Sequence, residues 1–496
     1  MLYQRWSRLL TILFVVVIAI PSQLHAEGEW KNLHVFGSIQ QDILELRLDK
    51  ADKRLDSLGR FNPDNLYIPF LQVRILFFRS FLPDEAAAFK RYEDAFSEKL
   101  DRVADGPRKQ VHTHIALAEL YLIKAFLHMR YGENFGTAWN GYKAWNTLDY
   151  AVERFPDHPL VQYGSGLLQA TVGSLPENYQ FFTRLIGMPG SVERGLRLMS
   201  SSLKEDAIRK NPIFYDEFAY MLCLVRYQLE DETDVLLSEF GVPVQQSSFL
   251  MYIEVLQLLK RGENDRAARK LIALPRDASQ ESHPYMDLIT GKVLLNRQDA
   301  DADKWFLRFL EKSKGQNHRV AANRYLRWHY ALLGDKDRAE KHKKFASNDQ
   351  AYSAMDRQAK EDLEDDFPLY LIRARLRFDG GYDEESFVIL RSQVNSLGQA
   401  EPKVQLEWHY RMGRLLFREG AYSKAEDELD KAISLCSSER FNCANSWLHL
   451  GFIAEEKGEK AEARKCYQQV MNMKHFTYFE GLQQKARTGL ERVEES

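Results

Sequence analysis

Four cysteines in 496 residues are too few for a scaffold held together by disulfides. Fifteen prolines, 27 glycines and no long low-complexity tract exclude a disordered chain, and 45% hydrophobic residues are enough for a large core. Alternating β-branched runs bounded by Asn-Gly or Asp-Gly turns are almost absent. Amphipathic segments of helix length follow one another instead, with polar breaks such as Pro83-Asp84-Glu85 and Phe155-Pro156-Asp157, so the expected class is all-α. Charge of either sign is not in excess. The formal net charge is −3, or −5 without Arg5 and Arg8, and with no basic stripe neither nucleic acid nor an anionic membrane is an expected partner.

Catalytic signatures are missing too. There is no nucleophile elbow, Walker loop, dinucleotide-binding glycine fingerprint or His-Glu-x-x-His, so the chain reads as a non-enzyme with no cofactor and no metal. His112 and His114, two apart, point to different faces of a helix, whereas a helical metal pair needs a spacing of three or four. The acidic run Glu361 to Asp366 reads as a solvated face rather than a calcium site.

At the N-terminus, Arg5 and Arg8 precede the apolar run Leu9 to Ile20, then Pro21 and Leu24-His25-Ala26. This is the order of a cleaved export signal, residues 1–26. The 12-residue run is short for a span, which needs about 20, although retention as an anchor is the alternative. The mature chain is expected in a bacterial periplasm.

What the chain does have is repetition. Gly413, Gly420, Tyr422, Ala425, Leu429 and Ala432 lie on one template, and Trp447, Leu450, Gly451, Gly458, Ala463 and Tyr467 lie on the same template. Gly413 to Gly451, Gly420 to Gly458 and Ala425 to Ala463 are each 38 apart. Gly413, Gly451, Ala425 and Ala463 suit helix crossings, and Gly420 and Gly458 suit left-handed helix ends. The pattern resembles the tetratricopeptide repeat, whose unit is about 34 residues. The resemblance implies a right-handed superhelical solenoid of antiparallel helix pairs that binds other molecules. Ser437 stands where the family often has a proline. Cys436 and Cys443 flank the four-residue expansion there, either as a loop-closing disulfide or as reduced loop residues, while Cys223 and Cys466 read as buried thiols.

Weaker copies of the Gly-to-Ala spacing occur at Gly262–Ala267 and Gly334–Ala339, with Gly381–Ser386 as a variant and Gln298 marking a degenerate turn midway between Gly262 and Gly334. Ala144, Leu148, Ala151 and Pro156 fit a second repeat helix after a long first helix from about His114 to Arg130. The expected organisation is 27–240 as a degenerate helical region, 241–400 as degenerate repeats, and 401–496 as two well-matched units with a capping helix. Within the first region Gly166 to Met199 carries Gly173-Ser174-Leu175-Pro176, Leu185-Ile186-Gly187, Gly190 and Gly195-Leu196-Arg197-Leu198. It resembles tetratricopeptide proteins of the mitochondrial outer membrane and inclusion-body clearance, and their bacterial relatives. A short aromatic helix near 178–187, with Tyr179, Phe181 and Phe182, either plugs the superhelix or lines a pocket.

The family pattern implies a concave groove lined by Glu407, Tyr410, Arg414, Phe417 and Arg418 in one unit. The next unit contributes Asn445, Leu448, Phe452, Glu455 and Glu456. Aromatic anchors with both charge signs suit a protein or peptide partner. The expected function is an exported, non-catalytic scaffold; the rival is a small-ligand receptor or enzyme with its pocket near 178–190.

Overall fold

A computed structural model describes residues 29–175, 183, 187–230, 235–275, 279–437, 440–474 and 476–495. The expected leader lies outside these residues, as does the expected 178–187 helix apart from Thr183 and Gly187. The described residues form 25 α-helices, two short 3-10 turns and no strand; one isolated bridge joins Glu29 to Asn65.

The helices run in order. The first group is α1 (Leu33–Leu44), α2 (Leu48–Phe61), α3 (Tyr67–Phe81), α4 (Ala86–Ala104), α5 (Val111–Arg130), α6 (Asn134–Arg154) and α7 (Pro159–Gly173). Next come α8 (Val192–Ser202), α9 (Asp206–Arg209), α10 (Tyr215–Leu229), α11 (Ser248–Lys260), α12 (Asn264–Ala273), α13 (Pro284–Asn296) and α14 (Ala302–Lys312). Then follow α15 (Arg319–Leu332), α16 (Lys336–Asn348), α17 (Ala354–Asp365), α18 (Leu369–Asp379), α19 (Asp383–Arg391) and α20 (Val394–Leu397). The chain ends with α21 (Pro402–Arg418), α22 (Tyr422–Ser434), α23 (Phe441–Glu456), α24 (Lys460–Asn472) and α25 (Phe479–Glu495). Consecutive helices pair as antiparallel hairpins, which is the expected all-α solenoid of tetratricopeptide type.

Seven of the hairpin turns are built alike. Gly132, Gly262, Gln298, Gly334, Gly381, Gly420 and Gly458 all take positive φ, between 58° and 80°. In each turn the next N–H donates to the carbonyl five residues back, from Glu133 to His128 and from Glu459 to Ala454 at 2.8 Å. That is a Schellman ending, and it makes glycine the cheap choice at the turn. Gln298 is the expected degenerate turn, holding the same conformation with a side chain.

Inside each hairpin a small residue lets two helices touch. A side chain at Gly413 would meet Leu429 at 2.7 Å, and one at Gly291 would meet the Phe306 ring at 2.7 Å. Gly451 lies in the same way beneath the Tyr467 ring. Ala267, Ala425 and Ala463 are fully buried at the second-helix position, as are Ala144 and Ala151 in α6. Cys436 and Cys443 form a disulfide, Cα to Cα 6.1 Å, tying the end of α22 to the start of α23.

The segment Gly166 to Met199 works differently. Its glycines bring α7 and α8 together backbone to backbone: a side chain at Gly195 would sit 2.5 Å from the Ala170 nitrogen and the Gly166 oxygen. Ser191 caps α8, accepting from Arg194 N–H at 3.3 Å.

Long-range contacts then bend the solenoid back on itself. The turns at Gly262 and Gly381 press against each other, with no space for a side chain between them. Asn317 donates to Asp84 at 2.9 Å, and Arg487 Nη1 of α25 donates to the Leu175 carbonyl at 2.9 Å. One apolar core runs from Phe36 to Val293, and further cores follow along the repeats as far as Val493.

The run Glu361 to Asp366 is a solvated face only at Glu364 and Asp366. Asp362 is buried between Arg324 and Arg375, the latter at 2.7 Å, while Asp365 holds Arg440 at 3.0 Å and Asp366 holds Lys343 at 3.1 Å. Acidic residues read as surface therefore join α15, α16, α18 and the start of α23. Burial alone would raise the Asp362 carboxyl, but Arg375 and Arg324 outweigh it and hold the group below the usual carboxylate range.

A candidate binding cavity inside the superhelix

The bend borders an open-sided cavity of about 2190 Å³. Its walls come from chain segments far apart in sequence: Val192 and Leu196 of α8, Tyr227 of α10, Leu256 and Leu259 of α11, and Lys292 of α13. Phe378 and Asp379 of α18 and the inner faces of α21, α23 and α25 complete it. Seven cations (Lys260, Arg261, Lys292, Arg414, Arg418, Lys485, Arg492) face seven carboxylates (Glu193, Glu230, Glu263, Asp379, Glu419, Glu455, Glu456) across apolar side chains.

Eight of the ten groove residues expected from the family pattern line this cavity: Arg414, Phe417, Arg418, Asn445, Leu448, Phe452, Glu455 and Glu456. Tyr410 and Glu407 do not. Tyr410 is 1% exposed, and its hydroxyl accepts from Asn445 at 2.8 Å and Arg414 at 3.3 Å. Glu407 is 6% exposed, pairs with Arg411 at 2.7 Å and sits beside Trp328, Leu371 and Arg375. The family pattern assumes an open groove. Here α18 and its neighbours pack across the first half of α21 and turn those two positions into core.

Several side chains are held in place by rings. Arg414 and Arg418 both lie over the Phe378 ring, at 4.6 and 3.6 Å from its centroid. Arg418 also donates to Asp383 at 2.6 Å, yet burial still lowers its pKa against that attraction. Arg492 reaches Glu455 at 2.7 Å from the capping helix.

Four charged side chains have no such anchor. Lys292, Asp379, Glu419 and Glu456 make no side-chain hydrogen bond or ion pair to any described residue, and Lys292 and Asp379 are the two that burial acts on. Burial opposes both charges. Tyr325, Asp379 and Tyr227 nevertheless raise the Lys292 pKa, and Lys292, Arg375, Arg411 and Arg414 hold Asp379 below its ordinary value.

The family carry-over for the last two units did not reach the upstream walls, yet a register signal marks them. Two residues before a turn glycine stand Lys260, Asp379, Arg418 and Glu456; six before a turn stand Leu256, Lys292, Arg414 and Phe452. All eight line the cavity, whereas the equivalent positions Phe126, Arg130, Asn296, Trp328, Leu332 and Arg375 do not, so register marks the wall at only part of the turns. Lys485, Thr488 and Arg492 of the cap had no such signal.

Elsewhere, Glu93, His128 and Glu133 place one ligand atom each within 4.8 Å of one another. His128 Nδ1 lies 2.6 Å from Glu133, so these two already satisfy each other across the α5–α6 turn.

Comparison with known proteins agrees with the repeat. The tetratricopeptide-repeat family model matches residues 444–474, which span α23 and α24, so this hairpin is a tetratricopeptide repeat. No curated protein matches the chain. Among solved structures, the human IFIT1 dimer with PPP-AAAA is 13% identical over 95% of this chain and 96% of that one, with a TM-score of 0.30. The APC/C hetero-tetramer Cut9-Hcn1 is 12% identical over 93% and 95%, with a TM-score of 0.23. Both scores are too low to carry an argument.

Proposed function

We propose that this chain is an exported, non-catalytic adaptor that holds an extended segment of a protein partner in its central cavity. The observation that carries the reading is the cavity itself. At about 2190 Å³ it exceeds the roughly 300–1,000 Å³ of small-molecule sites. Its wall alternates apolar anchors such as Leu256, Phe417, Leu448 and Phe452 with charges of both signs. A polyphosphate chain needs net positive charge, and seven cations against seven carboxylates supply none. A protein segment carries both signs and apolar side chains together, so it matches every part of the wall.

The rival reading, a small-ligand or catalytic pocket near 178–190, shares this space, because Val192, Glu193 and Leu196 belong to the same wall. A single small molecule would leave more than half of it unfilled. Export through the 1–26 leader to a bacterial periplasm is part of the proposal. N-terminal sequencing of the chain from fractionated cells should begin at Glu27.

Crosslinking in the native cell, followed by recovery of the chain, tests the main claim. A stoichiometric protein should be recovered with the natural sequence and lost with Phe417→Ala/Phe452→Ala. These positions serve better than Tyr410, whose removal would damage the core. Recovery undiminished in the double variant, or a small molecule in place of a protein, would overturn the reading.

A further inference from the structure

The held segment meets an unusual group of side chains on the cavity wall. Lys292, Asp379 and Arg414 come from three hairpins, line the same space and act on one another electrostatically. The Asp379 carboxylate accepts no hydrogen bond from a described residue, and Lys292 donates none. Arg414 spends one N–H on the Tyr410 hydroxyl at 3.3 Å, its Nε has no partner, and it makes no ion pair among the described residues. Phe378 fixes its plane, with the guanidinium carbon 4.6 Å from the ring centroid. The wall thus carries a strong acceptor and two strong donors on helices that pack in series, α13 on α18 and α18 on α21, without direct pairing.

Such a set selects by polarity. An anion is drawn by Lys292 and Arg414 but repelled by Asp379, and a cation meets the reverse. An uncharged group with both a donor and an acceptor suits all three, because it inserts between opposite charges and bonds to each. The amide is that group, and an extended segment offers one per residue.

Building on the peptide-holding reading above, we infer that Lys292, Asp379 and Arg414 form one subsite gripping an amide of the bound segment, N–H to Asp379 and C=O to Lys292 and Arg414. The main chain is the source favoured by a cavity long enough for several residues; a carboxamide side chain is the other source of the same chemistry. Recognition there is indifferent to side-chain identity, while the apolar wall supplies preference.

The test uses the whole leader-free chain and end-capped twelve-residue peptides in three compositions, neutral (Ser, Thr, Leu, Val, Phe), acidic and basic, all without Asn or Gln. Binding is read by fluorescence anisotropy. The neutral probe should bind, with little dependence on salt. Methylating its amide nitrogens one at a time should weaken binding about tenfold at one position, the loss of one charge-assisted hydrogen bond. The same scan on Asp379→Leu should be flat to within about twofold, and Lys292→Gln, which leaves Asp379 in place, guards against a misfolded variant by keeping the scan's minimum.

A flat scan on the natural chain overturns the main-chain subsite. So does an acidic probe that binds at least tenfold tighter than the neutral one and is released by salt, since that outcome means an anion site. Binding restored only by probes containing Asn or Gln assigns the amide to a side chain and overturns the main-chain form. In each of these cases a partner still lost with Phe417→Ala/Phe452→Ala leaves the adaptor reading intact. If no probe binds and that double variant also loses nothing, both fall together.

Discussion

The hairpins α21–α22 and α23–α24 are held by glycines lying under side chains, Gly413 under Leu429 and Gly451 under Tyr467, whereas α7 and α8 meet with backbone against backbone at Gly166 and Gly195. A side chain can shift a few tenths of an ångström when its neighbour grows. A carbonyl in a helix cannot. The C-terminal hairpins therefore repeat with a recognisable period, while the α7–α8 contact leaves no room for a larger residue and has no period to recognise. Charge does not follow this contrast: Glu193, Glu230, Lys260 and Lys292, from the stretch between Phe36 and Val293, line the cavity along with Arg418 and Glu456.

The largest effect that would sharpen this contrast is expected at Gly195. Gly195→Val drives a side chain into the Ala170 nitrogen and the Gly166 oxygen, and should cost upwards of about 4 kcal/mol, seen as loss of cooperative thermal unfolding. If that variant unfolds like the natural chain, the backbone contact is not what holds α7 to α8.

Next comes Asp362, which joins helices by charge rather than by shape. Asp362→Ala leaves Arg324 and Arg375 without their buried partner and should cost about 3–5 kcal/mol in denaturant unfolding. Because its folded pKa lies below the unfolded value, its contribution is complete above the ordinary Asp range and disappears as pH falls through the folded value. Stability measured from pH 7 downward should fall less steeply in Asp362→Asn than in the natural chain; equal slopes would contradict the assignment.

Opening the Cys436–Cys443 bridge by Cys436→Ser/Cys443→Ser should cost about 2 kcal/mol, as expected for a short loop, with faster amide exchange confined to the start of α23. Faster exchange throughout α21–α25 would show that the bridge does more than hold one turn.

Gly420→Ala should be mildest, about 1 kcal/mol by melting, because only the positive φ of 72° resists it and nothing lies within reach of the new methyl. A cost equal to that of Gly195→Val would erase the distinction between turn glycines and contact glycines.

The hairpins were legible because their spacing is local. Gly-to-Ala intervals of five and a shared 38-residue step report contacts between neighbouring helices, and even Gln298 was found by arithmetic on flanking turns. Eight of ten expected groove residues line the cavity for the same reason: helical phase sets which side faces inward. Tyr410 and Glu407 were misplaced because phase gives direction but not distance, and inward at that level means into α18. The acidic run at Glu361 to Asp366 misled in the same way, since its arginine partners lie on helices 13 to 75 residues away. The glycines between Gly166 and Gly195 marked a separate segment, though not that two backbones meet there.

By itself, the order of residues determined a chain of antiparallel helical hairpins, the conformation of their turns and the inward face of each, because all three depend on neighbours within about 40 positions. The tertiary structure alone decided that the groove becomes a wide, open-sided cavity, which cations keep a carboxylate and which face the interior, and that α8 and α25 share one wall. Those outcomes rest on small rotations at each hairpin adding up until Gly262 reaches Gly381 and Arg487 reaches Leu175, and a sum over many interfaces is not written at any one of them.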